Sequence, residues 1–242
     1  MQNLIRSMEA NLRNLSENSY PGRGIILGKS AEGKLLQFYW IMGRSDNSRN
    51  RIFTAEKGVL KTEPFNPAKV EDPSLVIYKA MGEVSGHYLV SNGDHTETLI
   101  KEIKKGGTYR DALNKRIHEP DEPNWTPRIA GGTILDNGKG SAWLGILRSD
   151  PFNTSNSHRF YFEYPELHPG LGWCITTYKG DGTPLPSYQG EPIPLPLSGE
   201  RDALIAWIWP RLNEQNRISL ALKIIDPVTG ESEILIENKY KK

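Results

Sequence analysis

The chain has 242 residues, of which 37% are apolar and 24% charged, and its net charge is +1. These values are ordinary for a globular protein, and they give no reason to expect nucleic acid or an anionic membrane as a partner. The single cysteine, Cys174, excludes an internal disulfide. Together with the lack of a signal-peptide pattern, the single cysteine favours a reducing, cytoplasmic location. No apolar run approaches the roughly 18 residues that span a bilayer, so we expect no membrane segment.

Hydrophobic spacing in the first half of the chain predicts helices at both ends of a group of strands. Three- and four-residue spacing predicts an amphipathic helix over residues 3–15. Residues 22–43 predict a β-hairpin with its turn at 30–33. Further strands are predicted around 51–63, 74–81 and 87–94, followed by helices over 95–107 and 108–117.

The second half of the chain is dominated by strands. They are predicted over 128–135, 141–149, 158–166, 172–178, 217–226 and 231–240. A proline-rich connection covers residues 182–198, and a helix follows over 199–212 with Ser198 as its N-cap. About ten strands, mostly joined as hairpins, with about four grouped helices predict an α+β fold with two sheets in a single domain.

Several familiar motifs fail on inspection. Residues 22–30, "GRGIILGKS", lack the first glycine of a phosphate-binding P-loop and read as a hairpin. The five histidines form no zinc-binding pattern, so we expect no metal site. Cys174 lies in a strand-like segment and is a weak candidate for a nucleophile.

Polar segments far apart in the sequence carry a resemblance. They are "YPGRG" (20–24), "GRSDNSRNR" (43–51), "DPSLVIY" (72–78), "VSNGDHTETL" (90–99) and "EPDEPNWTPRI" (119–129). In this order they resemble the archaeal-type IMP cyclohydrolases, and "SNGDHT" and "TPRI" are the most specific parts. Residues 1–19 and 182–198 look like additions to the archaeal pattern, and Lys79 stands where that pattern leads us to expect Asn.

The resemblance implies a four-layer αββα sandwich similar to that of N-terminal-nucleophile hydrolases. It also implies the last step of purine synthesis, in which 5-formamidoimidazole-4-carboxamide ribotide (FAICAR) closes to IMP and loses water. Neither a metal nor an organic cofactor is implied, and a homo-oligomer is left open. The residues implied as catalytic are Tyr78, Glu119, Asp121 and Arg51. Those implied to bind substrate are Arg23, Arg44, Asn50, Asn92, His95, Asn124, Thr126, Arg128 and Tyr178.

The residues themselves leave roles open. Arg44 and Arg51 suit either an amide oxygen or a phosphate, because a guanidinium offers paired donors, but they also fit a solvated basic turn. Tyr78 and Tyr178 are either proton donors or half-buried strand residues. The helix start after Asn92 favours an anion, whereas Asp94 or Thr96 could simply cap that helix.

The acids of residues 119–122 have a similar ambiguity. Glu119 and Asp121 suit acid–base work or the ribose hydroxyls, in a loop stiffened by prolines. We expect clustered acids to raise one another's pKa, Arg128 to supply the countercharge, and Glu122 to be a spectator.

Two other functions are compatible with the same fold. One is a purine-nucleotide-binding module that has lost turnover. The other is an amide hydrolase with an N-terminal nucleophile exposed by processing, for which Ser19 lacks a clear processing context.

Overall fold

The computed structural model describes residues 2–70 and 77–241. The helices in these ranges are α1 (Gln2–Glu17), α2 (Asp46–Arg49), α3 (His95–Lys104), α4 (Tyr109–Asn114) and α5 (Arg201–Ile208). The strands are β1 (Gly24–Lys29), β2 (Leu35–Met42), β3 (Arg51–Glu56), β4 (Val59–Pro64), β5 (Lys79–Val84), β6 (His87–Ser91), β7 (Arg128–Asp136), β8 (Lys139–Ser149), β9 (Ser157–Tyr164), β10 (Leu171–Thr176), β11 (Ile193–Pro196), β12 (Arg217–Ile225) and β13 (Ser232–Asn238).

The strands form two antiparallel sheets. Sheet A has six strands in the order β11-β10-β1-β2-β12-β13, and sheet B has seven in the order β3-β4-β5-β6-β7-β8-β9. Strands that follow one another in the chain are paired throughout sheet B, whereas sheet A brings β10 and β12 from late in the chain against the β1–β2 hairpin. Sheet A is therefore completed only when both ends of the chain have met.

Apolar side chains fill three spaces. One core lies between the sheets and includes Ile25, Tyr39 and Ile129. A second packs α1 and α5 on the outer face of sheet A, and a third packs α3 and α4 on the outer face of sheet B. The result is the four-layer αββα sandwich that the resemblance implies, built from strands whose two faces are both covered.

Local signals explain most element boundaries. Thr108 caps α4 through the capping box with Asp111 that the sequence predicts. The first helix is also confirmed, and it packs against β11 through Leu12 and Leu15 while its first two turns are exposed. No helix of residues 2–70 and 77–241 is long and apolar enough to cross a membrane.

Two predicted segments in the first half need correction. Residues 51–63 are two strands, because Lys57 and Gly58 adopt positive φ and turn the chain. The strand predicted over 74–81 is described only from residue 77, and there β5 begins at Lys79, so Tyr78 precedes the strand instead of lying within it. Tyr78 is still held against Thr62 by two backbone-nitrogen hydrogen bonds of 2.9 and 3.0 Å.

The second half contains two further corrections. The proline-rich connection contributes β11, a strand at the edge of sheet A, where Pro194 and Pro196 are tolerated. Ser198 is not the N-cap of α5. Glu200 holds that position, without a side-chain capping bond.

Candidate active site

A cavity of about 360 Å³ opens at one end of the two sheets. Its walls come from the segment before β1, the end of β2 with α2, the loop before β7, and the segment after β10. The lining residues include Tyr20, Arg23, Arg44, Arg51, Asp121, Asn124, Thr126, Tyr178 and Leu185. Its volume lies within the range of roughly 300–1,000 Å³ typical of small-molecule sites.

A smaller cavity of about 180 Å³ lies on the other side of an ion pair. It is lined by Tyr78, Asn92, Gly93, Asp94, Glu119, Pro120 and Arg128. The pair joins Arg23 Nη1 in the wall of the first cavity to Glu119 Oε2 in the wall of the second, at 3.5 Å. Residues from all five sequence segments that carry the resemblance therefore surround one composite site.

Arg51 is the dominant buried cation of the site. Its side chain is almost fully buried, and it donates from Nε to Ser48 O at 2.7 Å and from Nη2 to Met42 O at 3.1 Å. Burial lowers the pKa of Arg51, and the neighbouring charge of Arg23 lowers it further. Among residues 2–70 and 77–241 no carboxylate lies within ion-pair distance of Arg51. Its charge is thus available to an anionic ligand.

Arg23 is positioned by a tight turn. Gly22 has φ of +75°, and a Cβ there would lie 2.2 Å from Thr177 Oγ1. A side chain at this position would therefore displace Arg23 from the cavity. Arg23 Nε is buried and without a hydrogen-bond partner in the described protein, which marks a donor aimed at something the chain itself does not supply.

Glu119 is the buried carboxylate between the cavities. Burial raises the pKa of Glu119, while the charges of Arg23 and Arg128 oppose that shift. The neighbouring Asp121 contributes in the raising direction but ranks behind these effects. The sequence therefore predicts the direction of the shift correctly but its main cause wrongly, because burial and not acid clustering dominates.

Asn92 supports Glu119 from behind. Its Oδ1 accepts from Ile129 N at 2.8 Å, and its Nδ2 donates to Pro127 O at 3.0 Å and to Glu119 Oε1 at 3.3 Å. The amide thereby ties the end of β6 to the start of β7. Its place in the structure makes it a support for the carboxylate, beside its predicted contact with substrate.

Asp121 and Tyr178 are joined through Thr126. Asp121 accepts from Thr126 N at 2.7 Å and from the Thr126 hydroxyl, which in turn bonds to the Tyr178 hydroxyl. Burial raises the pKa of Tyr178, so this phenol keeps its proton. The chain of hydroxyls ends in a carboxylate and runs along the wall of the larger cavity.

Arg44 and Asn124 hold the proline-rich connection against the site. Arg44 pairs with Asp181, donates to Gly182 O at 3.0 Å and lies 5.0 Å from the centre of the Tyr20 ring. Asn124 Oδ1 accepts from Leu185 N at 3.0 Å. These contacts hold residues 181–185 beside the cavity, and Leu185 lines it.

Arg128 does not pair with the acids of its own loop. Its Nη1 lies 2.9 Å from Asp94 Oδ1, which also binds Arg116, so the expected countercharge of Glu119 is Arg23 instead. Asp94 occupies the N-cap position of α3 but makes no capping bond, since its carboxylate is directed to the arginines. The capping role considered for it is therefore wrong.

His95 lies behind this cluster, fully buried. Its Nε2 donates to Ile129 O at 3.1 Å, which leaves Nδ1 to accept from Arg128 Nη1 at 3.3 Å. Burial and the charge of Arg128 lower the pKa of His95 to about 3, so the ring is neutral. The structure places it as an orienting partner of Arg128, away from both cavities.

Other candidates lie outside the site. The Asn50 side chain is occupied by the backbone of Asn66, with contacts of 2.7 and 2.8 Å, and it lines neither cavity. Cys174 is fully buried in β10, and burial raises the pKa of its thiol, which argues against a nucleophile. Glu122 is exposed, as a spectator would be.

Sequence reasoning missed residues that complete the walls. Tyr20 stacks on Tyr178 with ring centres 5.9 Å apart, and its position next to "PGRG" was a usable signal. Ser45 and Ser48 cap the short helix α2 beneath Arg51 and line the larger cavity. Nothing in the sequence marks Leu185, because its place depends on the fold of residues 179–188.

Comparison with known proteins agrees with this constellation. The profile of a family described as "IMP cyclohydrolase-like protein" matches residues 20–230. The chain belongs to this family. The match begins at Tyr20, the first residue of the cavity wall, and leaves α1 outside the family region.

Relatives in methanogenic archaea carry the name IMP cyclohydrolase. The Methanothrix thermoacetophila protein is 29% identical over 71% of this chain and 80% of its own length. The Methanosphaera stadtmanae protein is 27% identical over 66% of this chain and 74% of its own. That of Methanococcus maripaludis strain C6 is 32% identical over 66% of this chain and 75% of its own.

Proposed function

We propose that this protein is an IMP cyclohydrolase, which closes FAICAR to IMP with loss of water. The observation that carries the proposal is the buried Arg51, which pairs with no carboxylate of residues 2–70 and 77–241 and lies in the same composite site as the buried Glu119. Membership in the IMP cyclohydrolase family supports the same substrate class. The site offers both a fixed cation and a carboxyl group for a nucleotide with a reacting amide.

The reaction sets specific demands. The carboxamide nitrogen attacks the formyl carbon, a C–N bond forms, and the carbinolamine loses water. Since both reacting groups are on one imidazole ring, the substrate itself supplies much of the proximity that enzymes otherwise provide. The enzyme must select the rotamer, stabilise charge on the amide oxygen, and protonate the departing oxygen.

The residues present can meet these demands. Arg51 and Arg23 together carry more positive charge than the described carboxylates balance, because Glu119 forms an ion pair with Arg23 and none of those carboxylates pairs with Arg51. They suit the amide oxygen or the phosphate. Glu119, whose pKa is raised by burial, retains a proton to higher pH than an exposed carboxyl and suits an acid. Tyr78 faces the smaller cavity as a second hydroxyl donor.

The test is direct turnover. Purified protein, treated with a chelator, is incubated with FAICAR, and the absorbance of IMP is followed beside a known cyclohydrolase. We expect IMP formation without added metal, as the family resemblance implies. Tight IMP binding without turnover would identify a nucleotide-binding module, and no turnover beside an active reference would reject the proposal.

A matched pair of variants tests the assignment of the acid. Glu119→Gln removes the titratable proton, and we expect kcat to fall by roughly 10²–10⁴-fold. Glu122→Gln changes an exposed residue of the same loop and should leave kcat within about twofold of the parent value. Equal activity of the two variants would remove Glu119 from the mechanism.

A further inference from the structure

A buried tyrosine outside both cavities contacts the proposed site from behind. Tyr39 lies in β2 on the face of sheet A that packs against sheet B, and its side chain is fully buried. Its hydroxyl oxygen lies 2.7 Å from the hydroxyl oxygen of Tyr78, across the space between the sheets. Since Tyr78 lines the smaller cavity, the pair reaches from the core to the site.

The surroundings of Tyr39 restrict what its hydroxyl can do. The ring stacks on Phe53, with centres 5.5 Å apart, and its register neighbours Ile25 and Ala221 carry no charge. The charged groups that act on it are Arg23, from the segment before β1, and Arg51, at the start of β3. Tyr78 is its hydrogen-bond partner in the described structure.

Tyr39 is suited to keep its proton. Burial raises the pKa of Tyr39 well above its ordinary value, and the interaction with Tyr78 raises it further, against the lowering influence of Arg23 and Arg51. A Tyr78 oxygen that has given up its proton can only accept a hydrogen bond. In that state Tyr39 must be the donor, and hydrogen bonds to charged groups are the stronger kind.

We propose that Tyr39 is a positioning residue for the ring closure, holding the Tyr78 hydroxyl toward the cavity and donating to its oxygen after proton transfer. This inference rests on the proposed function. Tyr78 gives its proton to the formyl oxygen as the C–N bond forms, and the proton that the carboxamide nitrogen loses restores Tyr78. No proton, electron or co-reactant is needed beyond the substrate.

The experiment is a double-mutant cycle read by kcat and KM for FAICAR. The variants are Tyr39→Phe, Tyr78→Phe and the two together. Tyr88→Phe is the control, because Tyr88 is also buried between the sheets but donates to Gly230 O at 2.6 Å, a contact outside both cavities. Each change removes one hydroxyl and keeps the ring, so packing is preserved.

We expect Tyr39→Phe to lower kcat about tenfold with KM within about twofold, which is what loss of one hydrogen bond to a developing charge predicts. Tyr88→Phe should stay within about twofold of the parent in kcat. In the Tyr78→Phe background, the Tyr39 change should have little further effect on kcat, because the group it positions is gone.

Two results would overturn the role of Tyr39 while the parent remains active. One is a Tyr39→Phe enzyme with the same kcat as Tyr88→Phe, and the other is an equal loss with and without the Tyr78 hydroxyl. A purely structural role predicts the second result. A parent protein that fails to convert FAICAR would instead reject the proposed function, and the Tyr39 inference with it.

Discussion

Two buried cations, Lys223 and Arg51, connect the sheets at opposite ends of β3. They differ in the groups that bind them. Lys223, from sheet A, is fully buried and binds Glu83 and the carbonyl of Gly58 in sheet B, both at 2.9 Å. Arg51, the first residue of β3, is also buried, and within the described part of the chain it binds the carbonyls of Ser48 and Met42 and no carboxylate. A buried charge is costly unless it is paired, so the compensated cation indicates structure and the uncompensated one indicates a ligand.

The largest expected effect separates the two cations by activity. Arg51→Met should lower kcat/KM for FAICAR by roughly 10²–10³-fold, since a fixed donor to developing charge is lost. Lys223→Met should leave kcat/KM within about twofold, because Lys223 lines neither cavity. Steady-state kinetics of both variants measure this difference. A comparable loss of kcat/KM in each would show that the two cations do not differ in their role in the reaction.

Stabilisation by bound IMP should also depend on Arg51 and not on Lys223. At 100 times its Kd, IMP should raise the free energy of unfolding of the parent by about 2.7 kcal/mol by mass action. We expect the same increment in Lys223→Met and little at equal IMP in Arg51→Met. Chemical denaturation with and without IMP measures it. A full increment in the Arg51 variant would mean that the anion binds elsewhere.

Without ligand, the free energy of unfolding should depend more on Lys223 than on Arg51. Lys223→Met removes the cation that binds Glu83 and the Nζ donor to the carbonyl of Gly58, while the Ser232 hydroxyl still donates to Glu83. We expect a loss of about 1–3 kcal/mol in the free energy of unfolding. Glu83→Gln in the same chain should recover part of that loss, because no unpaired charge remains. A double variant no more stable than Lys223→Met alone would show that packing of the lysine stem, and not its charge, matters.

A buried group that stays neutral gives an effect that is absent at neutral pH and grows only in acid. The folded pKa of His95 is about 3, against 6.5 ordinarily, so the unfolded chain binds more protons between those values. Stability should therefore be complete above about pH 6.5 and fall as the pH drops toward 3, by up to about 1.4 kcal/mol per pH unit. His95→Gln should flatten that slope in denaturation curves, with the exposed His168→Gln as reference. An unchanged slope in His95→Gln would show that His95 does not cause the fall in stability at acidic pH.

Local patterns in the sequence were sufficient for much of the fold. Alternating apolar residues predicted the β1–β2 and β12–β13 hairpins, and the capping box predicted α4. The split of residues 51–63 was missed although Gly58 is a turn signal, and β11 was missed because its prolines argue against a strand. An edge position permits those prolines, but edge positions are set by tertiary pairing.

The sequence predicted which residues form the site better than it predicted which of them contact one another. The segments around Arg51, Asn92 and Glu119 do meet. The partner of Glu119 is Arg23, 96 residues away, and not its loop neighbour Arg128. Pairing across that distance depends on how the sheets dock, which composition and spacing do not describe. Tyr39 was missed for the same reason.

The docking of the two sheets also has a consequence for how the chain unfolds. Arg23 is carried into sheet A and Glu119 precedes a strand of sheet B, so neither half of the fold holds the composite site alone. An intermediate with separated layers would have lost affinity for nucleotide before losing its strands. IMP would then act as a clamp across the layers, making their separation and the melting of the strands one cooperative event.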